Sequence, residues 1–127
     1  MIEYVTAKDA SPPHGHYSHA TVHDGKVYVC GLLGNSLEEH QGAKRSVAVQ
    51  TDQCLRDLSI ILEVAKSDLS QVLQATVYVN DIENWPEINQ VWERWFGNAR
   101  PARAVVPTPP LRYNSALELV VIAAVAR

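Results

Sequence analysis

The segment ALELVVIAAVA, Ala116 to Ala126, constrains this chain most: it carries one charged side chain, Glu118, and is otherwise apolar. Its length and its β-branched residues suit a strand covered on both faces, and it is too short for a membrane-spanning helix. Such a strand belongs inside a sheet. With 127 residues the chain is of single-domain size and has few other elements to supply that cover. An ionised carboxylate in such a setting is costly unless paired, hydrogen-bonded or placed at the strand mouth, so Glu118 is a candidate for chemistry as well as for a simple ion pair. Arg103 lies fifteen residues upstream in RPARAVV. Its guanidinium is the side chain best shaped to hold a substrate carboxylate through two parallel N–H donors.

Periodicity sets out the remaining elements. Ile2 to Thr6 reads as a short strand, and the two prolines and one glycine of SPPHGH end it in a loop. Strands are expected from Tyr17 to Val22 and from Lys26 to Leu32, joined at His23-Asp24-Gly25, because Asp-Gly is a strong hairpin signal. A polar stretch from Asn35 to Lys44 should be an exposed loop. Thr51, Leu55, Leu58, Leu62 and Ala65 then recur at spacings of four and three, with Val47, Val49, Cys54 and Ile61 broadening the stripe. That pattern predicts an amphipathic helix whose outward face carries Asp52, Arg56, Asp57 and Glu63. Leu73 to Val79 alternates as a strand does, and Asn84-Trp85-Pro86 offers a cap and an early proline for a second helix. This helix carries Ile88, Val91, Trp92, Trp95 and Phe96 and ends at Gly97, its aromatics being mostly core. Ala102 to Val106 and Ala116 to Ala126 close the chain as strands, separated by the proline-rich turn Pro107 to Arg112. The order βββαβαββ is that of an α+β layer sandwich, a mixed six-stranded sheet with two helices on one face. Nothing in the chain covers the other face, so a homo-oligomer is expected to do so.

Composition narrows the function. A net charge of -3, a pI near 5.9 and the lack of a Lys/Arg cluster argue against nucleic acid or an anionic membrane as partner. The start MIEYVTAKDA has no basic region followed by an apolar stretch, so the cytoplasm is the expected location. Cys30 and Cys54 form neither a disulfide framework nor a zinc spacing and read as free thiols. Four of the five histidines, His14, His16, His19 and His23, fall within ten residues. No nearby Asp, Glu or Cys completes a ligand set, so these read as neutral surface or interface histidines, with no metal. Cys30 in VYVCGLLG has no recognisable base or helix N-terminus to activate it and reads as a small buried hydrophobe. Gly31 and Gly34 do not form a phosphate loop.

Taken together, GHYSHATV-HDGKVYVCG, QCLRDLSIILEVAKSDLSQVLQATVYVND, NQVWERWFG, RPARAVV and LELVVIAAVA resemble the Rid family of reactive-intermediate imine deaminases, also called the YjgF or UK114 family. The likeness spans nearly the whole chain. It implies a chorismate-mutase-like fold, assembled as a homotrimer with active sites in the clefts between subunits and no cofactor. In the family's imine-deaminating members, an arginine at the position of Arg103 binds the carboxylate of a 2-imino acid, and a glutamate at the position of Glu118 holds the hydrolytic water. The resemblance further implies that Tyr17 closes the pocket from the adjoining subunit, while Cys30, Gly31, Asn89 and the backbone at Val105 line it. Three departures stand out: Cys30 replaces a common serine, Leu32 a glutamine and Val120 a second glutamate. The changes at Leu32 and Val120 are expected to make the cleft more apolar, as for a larger enamine or imine. The alternatives in other functional classes are a metabolite-binding or chaperone trimer without turnover, and a ribonuclease, which the acidic pI disfavours.

Overall fold

A computed structural model describes residues 1–126. Its strands are β1 (Glu3–Val5), β2 (Ala20–His23), β3 (Lys26–Leu33), β4 (Val72–Val79), β5 (Ala102–Pro107) and β6 (Leu117–Ala124). Its two long helices are α1 (Val47–Val64) and α2 (Trp85–Phe96). The strands form one six-stranded sheet in the order β1-β2-β3-β6-β4-β5. Only β4 and β5 pair in parallel, α2 being the crossover between them. The α+β class, the element order and the mixed sheet are those expected from the sequence.

β6 lies at the centre, between β3 and β4, as its two-sided apolar character requires. Leu117, Leu119, Val121 and Ala123 are at most 1% exposed and meet Leu55, Leu58, Ile61 and Leu62 of α1 in the core. The intervening Glu118, Val120, Ile122 and Ala124 point to the open face and are only partly covered. Full burial of a Leu or Ile side chain contributes roughly 1.5–3 kcal/mol, so the helix-side stripe dominates the stability of the protomer.

Local signals explain the boundaries. Asp24 and Gly25 both have positive φ, 51° and 78°, as a type I′ turn requires, and His23 pairs with Lys26 across it. Ser46 caps α1, its side chain accepting from the Val49 N–H. For α2, Asn84 makes no side-chain cap; Asp81 instead caps the preceding 3-10 turn by accepting from the Glu83 N–H at 2.9 Å. Gly97 ends α2 at φ 58°.

Three expectations are corrected. β2 begins at Ala20, because Tyr17 and Ser18 belong to the preceding loop, where the Tyr17 N–H donates to the Gly15 carbonyl. Asp57 does not face outward: it is 2% exposed and accepts from the Ser11 N–H at 3.1 Å and the Ser11 hydroxyl at 2.6 Å. His19 is 1% exposed, its Nδ1 accepting from the Ala7 N–H at 2.9 Å and its Nε2 donating to the Ser11 carbonyl at 2.7 Å. Helical and strand periodicity hid both residues, since their partners lie in an irregular loop that no period describes. Together they pin that loop to α1 and to the residue that precedes β2.

Candidate active site

Glu118 stands on the open face of the sheet, in register with Leu33 of β3 on one side and Tyr78 of β4 on the other. The β3–β6 register shifts between Val29 and Leu32, and this bulge brings Gly31 against the carboxylate. A Cβ at Gly31 would collide with the carboxylate oxygen and come within 3.0 Å of the Glu118 Cδ, so any side chain there must displace the carboxylate. Burial among these neighbours pushes the Glu118 carboxyl above the usual carboxylate range. A carboxylate with raised proton affinity on the partly covered face of the sheet is suited to take and return a proton.

Cys30, next in sequence to Gly31, is half-buried, and burial pushes its thiol up to about 11, with the nearby Glu118 charge adding to the effect. The thiol stays protonated at neutral pH and is not an activated nucleophile. Cys30 and Tyr17 line a cavity of about 600 Å³ together with Tyr4, Tyr28 and His16. Tyr17 is 50% exposed, and its hydroxyl accepts from the His14 N–H at 3.1 Å. His14 is held in turn through Nε2, which donates to the Ser36 carbonyl at 2.7 Å. Its ring also packs edge-on against Tyr113, with centroids 5.8 Å apart.

Arg103 lies on the other face. It pairs in register with Ala75, which is 1% exposed beneath the helices, and its guanidinium carbon sits 4.2 Å from the centre of the Trp85 ring and 5.0 Å from that of Trp92. Both tryptophans belong to α2. A second cavity, of about 590 Å³, opens beside them and is lined by Asn89, Trp92, Glu93, Arg100 and Arg103 among others. Asn89 donates to the Glu93 carboxylate at 3.4 Å. Burial lowers the proton affinity of Arg103 and Glu93 opposes this, but a guanidinium remains charged throughout the physiological range.

The structure thus sorts the sequence-selected residues into two groups. Tyr17, Cys30, Gly31 and Glu118 gather on the open face; Arg103 and Asn89 gather at the helix-side edge, where Val105 is also half-buried. Within one protomer β4 separates the strands bearing Arg103 and Glu118, and the two side chains point to opposite faces. Leu32 is corrected as a cleft wall: it is 6% exposed, paired with Leu119 and packed into the core, and the bulge leaves Leu33 beside Glu118 instead. Val120 does lie on the open face. Sequence reasoning missed the contact of Trp85 and Trp92 with Arg103, because aromatic residues at helical spacing signal core whatever else they touch.

The family described as Endoribonuclease L-PSP matches residues 7–125. A 2-iminobutanoate/2-iminopropanoate deaminase of Rattus norvegicus is 32% identical over 109 residues, 86% of this chain and 80% of that protein. This chain belongs to the Rid family. A RutC family protein of Pyrococcus horikoshii shares 29% identity over 97% of this chain and 98% of its own length. The crystal structure of yeast Mmf1 superposes with a TM-score of 0.90 at 28% identity, covering 98% of each chain. Among the described residues no helix is long and apolar enough to cross a membrane.

Proposed function

We propose that this protein hydrolyses reactive imines and enamines derived from amino acids, releasing a 2-keto acid and ammonia. The observation that carries the proposal is Glu118: a half-buried carboxylate of raised proton affinity in a mostly apolar strand, against which a bulge sets the backbone of Gly31. Arg103 is the carboxylate anchor. Since the two residues face opposite ways in one protomer, the site forms where the Arg103–Asn89 edge of one copy meets the Glu118–Tyr17 face of the next. A ring of copies related by such a head-to-tail contact is a closed assembly, and the homotrimer of the family resemblance is the form proposed here. Deaminase names among the relatives, in Rattus norvegicus and Homo sapiens, support the reaction class.

The chemistry follows from the residue types. Arg103 holds the carboxylate of a 2-imino acid and so presents the adjacent imine carbon to water. Glu118 takes a proton from the water as its oxygen attacks that carbon, giving a carbinolamine. Starting from the protonated imine, it then gives that proton to the carbinolamine nitrogen and takes the hydroxyl proton as the C=O bond forms and the C–N bond breaks, so that a 2-keto acid remains and the departing ammonia carries off the last proton as ammonium. No electron transfer is involved. The uncharged Cys30 thiol and Val120 leave the Glu118 face apolar, which favours imino acids with an apolar side chain such as 2-iminobutanoate over polar ones.

The test generates 2-iminopropanoate and 2-iminobutanoate in situ and traps residual imine with semicarbazide. Wild type should accelerate keto-acid formation, and both Arg103→Ala and Glu118→Ala should lose about 100-fold or more in kcat/KM. Failure of wild type to accelerate the reaction would remove the activity, and full activity in Arg103→Ala would remove the anchor.

A further inference from the structure

Arg103 is held in an unusual way for a half-buried arginine. Among the described residues its guanidinium has no hydrogen-bond or ion-pair partner; the one ion pair joins Arg56 and Asp52, and Glu93 is bonded to Asn89. What it has instead is two indole rings, Trp85 at 4.2 Å and Trp92 at 5.0 Å from its central carbon. Trp92 is itself fixed by burial and by stacking on Phe96, ring centres 4.6 Å apart. Trp85 is placed by the start of α2, where Pro86 restricts the backbone.

Resting on the functional reading above, we propose that Trp85 and Trp92 are positioning residues that preorganise Arg103 for a substrate carboxylate. Attraction to the ring faces restrains the cation without using a carboxylate or carbonyl acceptor, so the N–H donors remain for the substrate. An arginine tethered by an internal carboxylate would have to exchange one anion for another. A free arginine would lose more side-chain freedom on binding. The aromatic cradle avoids both. Because Arg103 would grip the carboxylate in the ground state and the transition state alike, loss of the cradle should appear in KM and leave kcat nearly intact.

The experiment uses Trp85, since Trp92 is also core. Trp85→Met, which keeps bulk without an aromatic face, should raise KM for 2-iminobutanoate about tenfold with kcat within about twofold of wild type. Trp85→Phe should restore KM to within about threefold. The dissociation constant of pyruvate, a product-like carboxylate, should follow the same order. Against an Arg103→Ala background, Trp85→Met should have no further effect on pyruvate binding. Thermal unfolding and circular dichroism identify a variant that fails to fold, in which case Trp85→Leu takes its place. Unchanged KM and pyruvate binding in the non-aromatic variants, a fall in kcat alone, or an undiminished effect without Arg103 overturns the inference while leaving the deaminase reading in place. A wild type that neither turns over imine nor binds pyruvate overturns both.

Discussion

At Gly31 the backbone of β3 comes so close to the Glu118 carboxylate that a methyl group has no room. Gly31→Ala must therefore push the carboxylate aside. A displacement of about 1 Å at a reacting group costs on the order of 100-fold in rate, so kcat/KM should fall by about that factor while circular dichroism stays that of wild type. Glu118 also makes a prediction about pH. Its carboxyl is raised by burial, so the folded protein binds the proton more tightly than the unfolded chain does. The sign follows directly: the stabilising contribution of the neutral acid is present below the unfolded pKa and is lost as pH rises through the folded one. Glu118→Gln should thus gain thermal stability relative to wild type near neutral pH, and the gain should shrink toward about pH 4. In the rate profile Glu118 should appear as the acid limb of kcat/KM, raised by its burial and lowered by the Arg103 guanidinium of the neighbouring copy, and a profile with no acid limb would exclude Glu118 as the base. The identity of Glu118 was legible as an isolated charge in an apolar strand. Its raised proton affinity was not, since that depends on Gly31, Leu33 and Tyr78, which the bulge and the sheet bring together from two other strands.

The end of α1 shows what periodicity conveys about an element and what it omits. The helix stops in a Schellman arrangement, with the Ser67 N–H donating to the Leu62 carbonyl at 2.8 Å and the Lys66 N–H to that of Glu63 at 3.1 Å. Lys66 occupies the left-handed position, φ 64°, usually given to glycine. Lys66→Gly relieves that cost against some loss of unfolded-state restriction and should stabilise the protein by about 0.5–1 kcal/mol in denaturant melts. At the middle of the same helix, Asp57 depends on Ser11 for two of its hydrogen bonds, one of them from the hydroxyl. Ser11→Ala leaves a buried carboxylate short of a donor, and a loss of about 1–3 kcal/mol is expected by the same measurement. The stripe of Leu55, Leu58 and Leu62 correctly identified a helix and its buried side. It misassigned Asp57 because a residue at the border of the stripe can be buried by a loop from 46 positions away.

In the whole molecule, the separation of Arg103 from Glu118 has the largest consequence. If the site forms between copies, Arg103→Ala and Glu118→Ala chains, each inactive alone, should regain activity when unfolded together and refolded as mixed oligomers. Random assembly of equal amounts places two intact halves at about one interface in four, so about a quarter of wild-type activity should return. No recovery, with mixed oligomers present by mass spectrometry, would place both residues in the same copy's site. The amino-acid sequence by itself determined the element order, the central place of β6 and the residue types able to bind a carboxylate and move a proton, because these follow from local periodicity and from chemistry intrinsic to each side chain. Only the tertiary structure decided which face each residue occupies, which residues share a cavity, and that two tryptophans hold Arg103. Those outcomes depend on strand order, on a one-residue shift in β3 and on the crossover through α2, all of which join positions far apart in the chain.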